Sequence, residues 1–153
     1  MKELEFDDFG EIVIGSELKQ IGLKEEIKKY LQELGRDFFD YGSGFYVDVA
    51  SNVGRLVSSG KYEKGILICR TGIGMDIVAN KIPGIRAARC LDAVSARESR
   101  RVNDSNILAL ADVNLELARD IVYNWLTSEF SGEAKYIEGI KKIKALEYES
   151  ARG

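Results

Sequence analysis

The chain has 153 residues, 45% hydrophobic and 31% charged, with a formal net charge of −3 and both signs mixed along it. That length fills one core, and that balance excludes a disordered chain. No basic stripe points to nucleic acid, and no apolar run approaches a membrane span.

The run 11–15 reads as a first strand. Leu23, Ile27, Tyr30, Leu31 and Leu34 follow at helical spacing, with Gly35 as a stop. A second strand is expected over 36–41, with Gly42-Ser43-Gly44 as a turn, then a helix over 47–59 closed by Gly60. The third strand is the apolar run ending at Cys69, and its helix covers roughly 75–81. Pro83 sits in a loop, 85–90 forms a fourth strand, and Asp92 caps a helix running through Arg101. A fifth strand at 107–110 and a helix at 114–126 complete the alternation.

Strands alternating with helices at this spacing predict a parallel, doubly wound, Rossmann-like sheet in a three-layer α/β/α sandwich. A single domain over 1–153 is expected, with right-handed connections. After Gly132, a last helix over about 134–149 carries Tyr136, Ile137, Ile140, Ile143 and Leu146 in a stripe. The five βα units before it already close the layers, so the segment 133–150 is expected to pack on a partner subunit. The chain is then a homodimer or homotetramer.

Chemistry concentrates at Gly65-Ile66-Leu67-Ile68-Cys69-Arg70-Thr71-Gly72-Ile73-Gly74-Met75. A thiol at the carboxyl end of a buried strand sits where open α/β sheets hold ligands. The Gly-rich turn after it offers backbone N–H groups to an anion or a developing oxyanion. The plain alternative is a cysteine that merely ends a core strand, and that is the reading for Cys90. No histidine is present to shuttle protons, and the two cysteines show neither metal-ligand spacing nor a disulfide framework. No metal and no cofactor are called for. The first eight residues lack the apolar core of a signal peptide, which leaves a reducing cytoplasm as the expected compartment.

Several segments together resemble the ribose-5-phosphate isomerase B family, which includes the galactose-6-phosphate isomerase subunits. They are Ile14-Gly15-Ser16, Leu23-Lys24, Asp40-Tyr41-Gly42, the Cys69 block through Ala88, Ser95-Ala96-Arg97 and Asn103-Asp104-Ser105-Asn106. The resemblance implies metal-free interconversion of phosphorylated aldoses and ketoses through a cis-enediolate. By position, Cys69 would take the proton beside the carbonyl. Thr71 would help open the sugar ring, and the amides from Arg70 through Gly72 and Ile73 to Gly74 would hold the enediolate. A free thiol titrates near pH 8.5, so such a loop is physically needed to make thiolate near neutral pH.

The chain also departs from that pattern. Glu17-Leu18 replaces an Asp-His pair, Val102 a histidine, Arg70 a glycine, and Glu138 a phosphate-binding arginine. The loop after the fifth strand, 111–114, carries no arginine. Arg70 either plugs the anion hole or supplies a cation to it. Glu17, Asp48 and Asn103 are substrate-facing candidates, each with a plain helix-terminus reading beside it. The function expected is a sugar-phosphate isomerase working in a mixed oligomer with a complete paralogue or on an unusual substrate. The alternative is a non-catalytic oligomer that binds a small sugar or acid, or stabilises a partner.

Overall fold

In a computed structural model, which describes residues 10–152, five parallel strands lie in the order β2-β1-β3-β5-β4. The N-terminal segment read above for a signal peptide lies outside the described residues. The strands are β1 (Gly10–Glu17), β2 (Phe38–Gly44), β3 (Tyr62–Cys69), β4 (Ala87–Arg89) and β5 (Ile107–Ala111). The helices are α1 (Ile21–Glu33), α2 (Tyr46–Ser58), α3 (Ile73–Ala79), α4 (Ala93–Asn103), α5 (Leu115–Thr127) and α6 (Ala134–Arg152). No described helix is long and apolar enough to cross a membrane.

Alternation along the strands divides the core in two. Ile12, Ile14, Ile66, Ile68, Leu108 and Leu110 face α1, α4 and α5, where Ile27, Leu31, Ala96, Ile121 and Trp125 meet them. Val13, Leu67, Cys69 and Ile107 face α2 and α3, against Val49, Val53, Met75 and Ala79. Both faces are therefore covered, which is why the strands read as near-continuous apolar runs. The sandwich follows the expectation.

Several boundaries differ from those read in the sequence: α3 spans Ile73–Ala79 rather than 75–81, and three further differences fall at β2 and β4. The segment Gly42-Ser43-Gly44 is not a turn but the end of β2. Ile14 pairs with Asp40 and Gly15 with Gly42, so Tyr41 is the extra residue of a bulge. Gly42 takes φ +119°, and its N–H donates to Asp40 Oδ1 at 2.8 Å. A bulge with one residue at positive φ looks like turn chemistry in sequence. Residues 36 and 37 precede the strand, and the Arg36 guanidinium there donates to Glu11 and to the Leu126 carbonyl. Of 85–90, only three residues pair, since β4 is an edge strand bound to β5 alone.

An ion cluster ties α1 to β2. Lys24, 4% exposed, donates to Asp40 Oδ1 at 2.8 Å, and Lys28 to Asp40 Oδ2 at 2.9 Å. Burial alone would raise the Asp40 carboxyl, but the bonds and charges of the two lysines outweigh it and hold the group below its ordinary value. A depressed carboxylate contributes stability above about pH 4 and loses it as pH falls through the lowered value. Asp40→Asn strands a buried ammonium, so it should cost about 3 kcal/mol at pH 7 in urea unfolding. The gap to the parent protein should close as the pH drops below about 4.

Candidate active site

The strand order sets the site. β1 lies between β2 and β3, so the chain leaves β1 in one direction and returns on its other side. The carboxyl ends of β1 and β3 meet at this switch point, where open sheets form a crevice. Ser16 pairs with Ile68, which brings Glu17 beside Cys69. The crevice is an open cleft of about 530 Å3, walled by Glu17 through Gln20, Gly44, Phe45, Tyr46, Cys69, Arg70, Thr71 and Gly74.

The Cys69 side chain is 2% exposed and packs in the α2–α3 core. The Gly72 N–H donates to its sulfur at 3.1 Å, and Ile73 N–H to Thr71 Oγ1 at 3.2 Å. Gly72 precedes α3 as its N-cap, at φ +76°. The loop is braced from behind. Arg89 Nε donates to the Thr71 carbonyl at 2.7 Å, and Asp112 N–H to the Arg70 carbonyl at 3.2 Å. Buried Gln20 in turn reaches Asp112 Oδ2 at 3.2 Å. The loop thus hangs between the ends of β1, β4 and β5. Beneath it, burial pushes the Asp76 carboxyl up, and Arg89 opposes that shift.

Of the residues singled out in the sequence, Glu17, Cys69, Arg70, Thr71 and Gly74 line one cleft, with Gly72 and Ile73 in the same loop. The Arg70 side chain is exposed rather than folded into the loop. Asp48 stands exposed in the first turn of α2, outside the lining. Asn103 ends α4 and borders a separate groove with Ile85, Arg86, Ile143 and Leu146. Cys90 is core: its thiol touches Ser99 Oγ at 3.7 Å, and burial pushes its pKa up against the Ser99 and Ser95 bonds.

Sequence reasoning missed Lys19, Gln20, Phe45 and Tyr46 as wall residues. For Lys19 and Gln20 the signal was available, since they continue the segment leaving β1 at the switch point. Tyr46 becomes visible only in three dimensions: a Cβ on Gly74 would lie 3.0 Å from its ring.

Gly72→Ala tests the loop. Its Cβ would meet Arg89 Cγ at 3.3 Å and backbone atoms of Ala109 and Ala111 at 3.4 Å. Positive φ adds about 1–2 kcal/mol, so thermal unfolding should shift down by roughly 2–8 °C.

The family described as Ribose/Galactose Isomerase matches residues 12–143. The chain is 43% identical over 129 residues to the D-erythrulose-4-phosphate isomerase of Pectobacterium atrosepticum, covering 79% of this chain and 85% of that one. It is 41% identical over 132 residues to ribose-5-phosphate isomerase B of Escherichia coli, covering 82% and 88%. The solved ribose-5-phosphate isomerase B of Clostridium thermocellum superposes with a TM-score of 0.88 at 43% identity, over 92% of this chain and 99% of the other. A match of that extent, joined to the strand order and the cysteine loop, makes this chain a member of the ribose/galactose isomerase family.

Proposed function

We propose that the chain interconverts an aldose and a ketose bearing an anionic group, with the Cys69 sulfur as the base. What carries this reading is the Cys69 loop: a sulfur already accepting an N–H at 3.1 Å, set at the switch-point crevice. The thiolate takes the C2 proton of the aldose, and the C–H electron pair forms the C1–C2 double bond while O1 becomes anionic. The O2 proton passes to O1. The proton on sulfur then returns to C1 as the C2 carbonyl forms, so no oxidant, metal or cofactor enters the balance. The Gly72 and Ile73 N–H groups are spent within the loop. That leaves the amides of Arg70, Thr71 and Gly74 to serve the enediolate oxygen.

The substrate is a small sugar phosphate, as in the names of the relatives, and the reaction runs in the cytoplasm. The assembly is a homodimer or homotetramer, or a heteromer with a paralogue. What supports this is α6, which leaves Ile137, Ile143 and Leu146 at 40%, 37% and 65% exposure. Its carboxylate Glu147 accepts from Gly84 N–H at 3.0 Å, yet most of its length faces away from the body. Exposed apolar side chains in such a row mark a partner surface. A paralogue in the assembly would bring the histidines and arginines that this chain lacks.

Two measurements test the reading. Cys69→Ala should reduce turnover by at least about 10²-fold and abolish solvent-deuterium exchange at the substrate carbon, while Cys90→Ala retains both. Exchange that persists in Cys69→Ala would remove the thiol base, and binding of sugar phosphates without any exchange would favour the non-catalytic alternative. In sedimentation at micromolar concentration the chain should run as a dimer or larger, and a stable monomer would remove the α6 interface.

A further inference from the structure

A single peptide unit stands between a cation and the reacting sulfur. Its N–H, from Gly72, donates to Cys69 Sγ at 3.1 Å, and its carbonyl, from Thr71, accepts from Arg89 Nε at 2.7 Å. In a planar trans peptide these two groups point in opposite directions, so holding one end aims the other. The sheet brings the arginine there. Arg89 ends the edge strand β4 and pairs with Ala109 of β5, while Cys69 pairs with Ala111 on the other side of β5. The arginine side chain therefore passes the end of β5 to reach the loop after β3. Gly72 leaves it room: a Cβ there would lie 3.3 Å from Arg89 Cγ.

That same glycine creates a need for the arginine. Gly72 sits at φ +76° and ψ −16°, and glycine adopts negative φ about as readily as positive. Turning the 71–72 peptide over needs mainly a new φ at Gly72 and a new ψ at Thr71, so no side chain at residue 72 resists it. The turned unit would withdraw its N–H and present the Thr71 carbonyl oxygen to the sulfur. A thiolate opposes that turn, because it holds the N–H through a charge-assisted bond. A neutral thiol does not, since its sulfur is a weak acceptor and its S–H is itself a donor that a carbonyl attracts. In the proposed reaction the sulfur is a thiol between the two proton transfers. At that stage the bond to Arg89 holds the peptide from its other end.

We infer, on the isomerase reading above, that Arg89 is a positioning residue. It latches the Thr71–Gly72 peptide with the N–H toward Cys69, so that the sulfur returns to a donor already in place for its thiolate form.

Two replacements separate the bond from the charge. Gln carries Nε2 at the same place along the side chain as Arg Nε and donates without a charge. Met keeps an unbranched stem over Gly72 and donates nothing. Arg89 is exposed and lies outside the cleft lining, so neither change closes a reagent's path to the sulfur. On the whole purified protein, iodoacetamide labelling of Cys69 is followed by peptide mass near neutral pH, beside turnover of D-ribose 5-phosphate and D-erythrulose 4-phosphate. Arg89→Met should slow labelling and lower kcat by about 10-fold each, the cost of one hydrogen bond serving a charged group, with KM within about 2-fold of the parent. Arg89→Gln should restore both rates to within about 3-fold of the parent. Labelling of Arg89→Met as fast as the parent would overturn the inference. So would Arg89→Gln as slow as Arg89→Met, the result expected if Arg89 served only to balance the Asp76 carboxylate. A parent protein that turns over neither sugar, with the labelling pattern as expected, would overturn the isomerase reading and leave the latch standing.

Discussion

The pairing of β1 with β3 governs the rest of the molecule. Residues 12–16 of β1 run alongside 64–68 of β3 in parallel register, while β2 occupies the other side of β1. Because side chains alternate with a period of two, a slip of one residue would exchange Ile66 and Ile68 with Leu67 and Cys69 between the two packed faces. Both faces are filled, one by α1, α4 and α5 and the other by α2 and α3, so such a slip would misplace every core side chain of the strand. The position of the sulfur at the strand end is therefore fixed by hydrophobic burial over the whole sheet. The reactive loop inherits that rigidity.

Rigidity at the strand end would be of little use if the loop beyond it were loose. Arg89 from the edge strand, Asp112 after β5 and Gln20 after β1 all converge on residues 70–72, directly or through one another. Each bond fixes a backbone carbonyl or its neighbour, so the loop's amides keep their direction without help from a ligand. A donor array that need not reorganise on binding gives its full electrostatic effect to the developing charge. Arg89 does a second thing, since its charge also opposes the burial that raises the Asp76 carboxyl beneath the loop.

Most of the fold was legible because its signals were long and redundant. Five strand runs separated by helical periodicity admit few arrangements other than a doubly wound parallel sheet, and capping at Asp92 marked a helix start that the structure keeps. What was not legible depended on pairing partners distant in sequence. The Gly42-Ser43-Gly44 segment carries turn residues, yet the Ser43 hydroxyl meets that of Ser16 at 2.8 Å across a continuing ladder. In the site, Cys69 and its loop announced themselves as a contiguous block, whereas the wall formed by Tyr46 required knowing which elements meet in space. Asn103 was singled out for its place in a motif, and in one chain that place lies on another groove.

The cleft also has a distribution of charge. Glu17 is the one carboxylate in its lining, and Glu138 stands exposed on α6. Lys19 and Arg70 line the same cleft as Cys69. Two cations to one carboxylate in the cleft wall set the local sign of charge there, and an anionic group entering it meets attraction rather than repulsion.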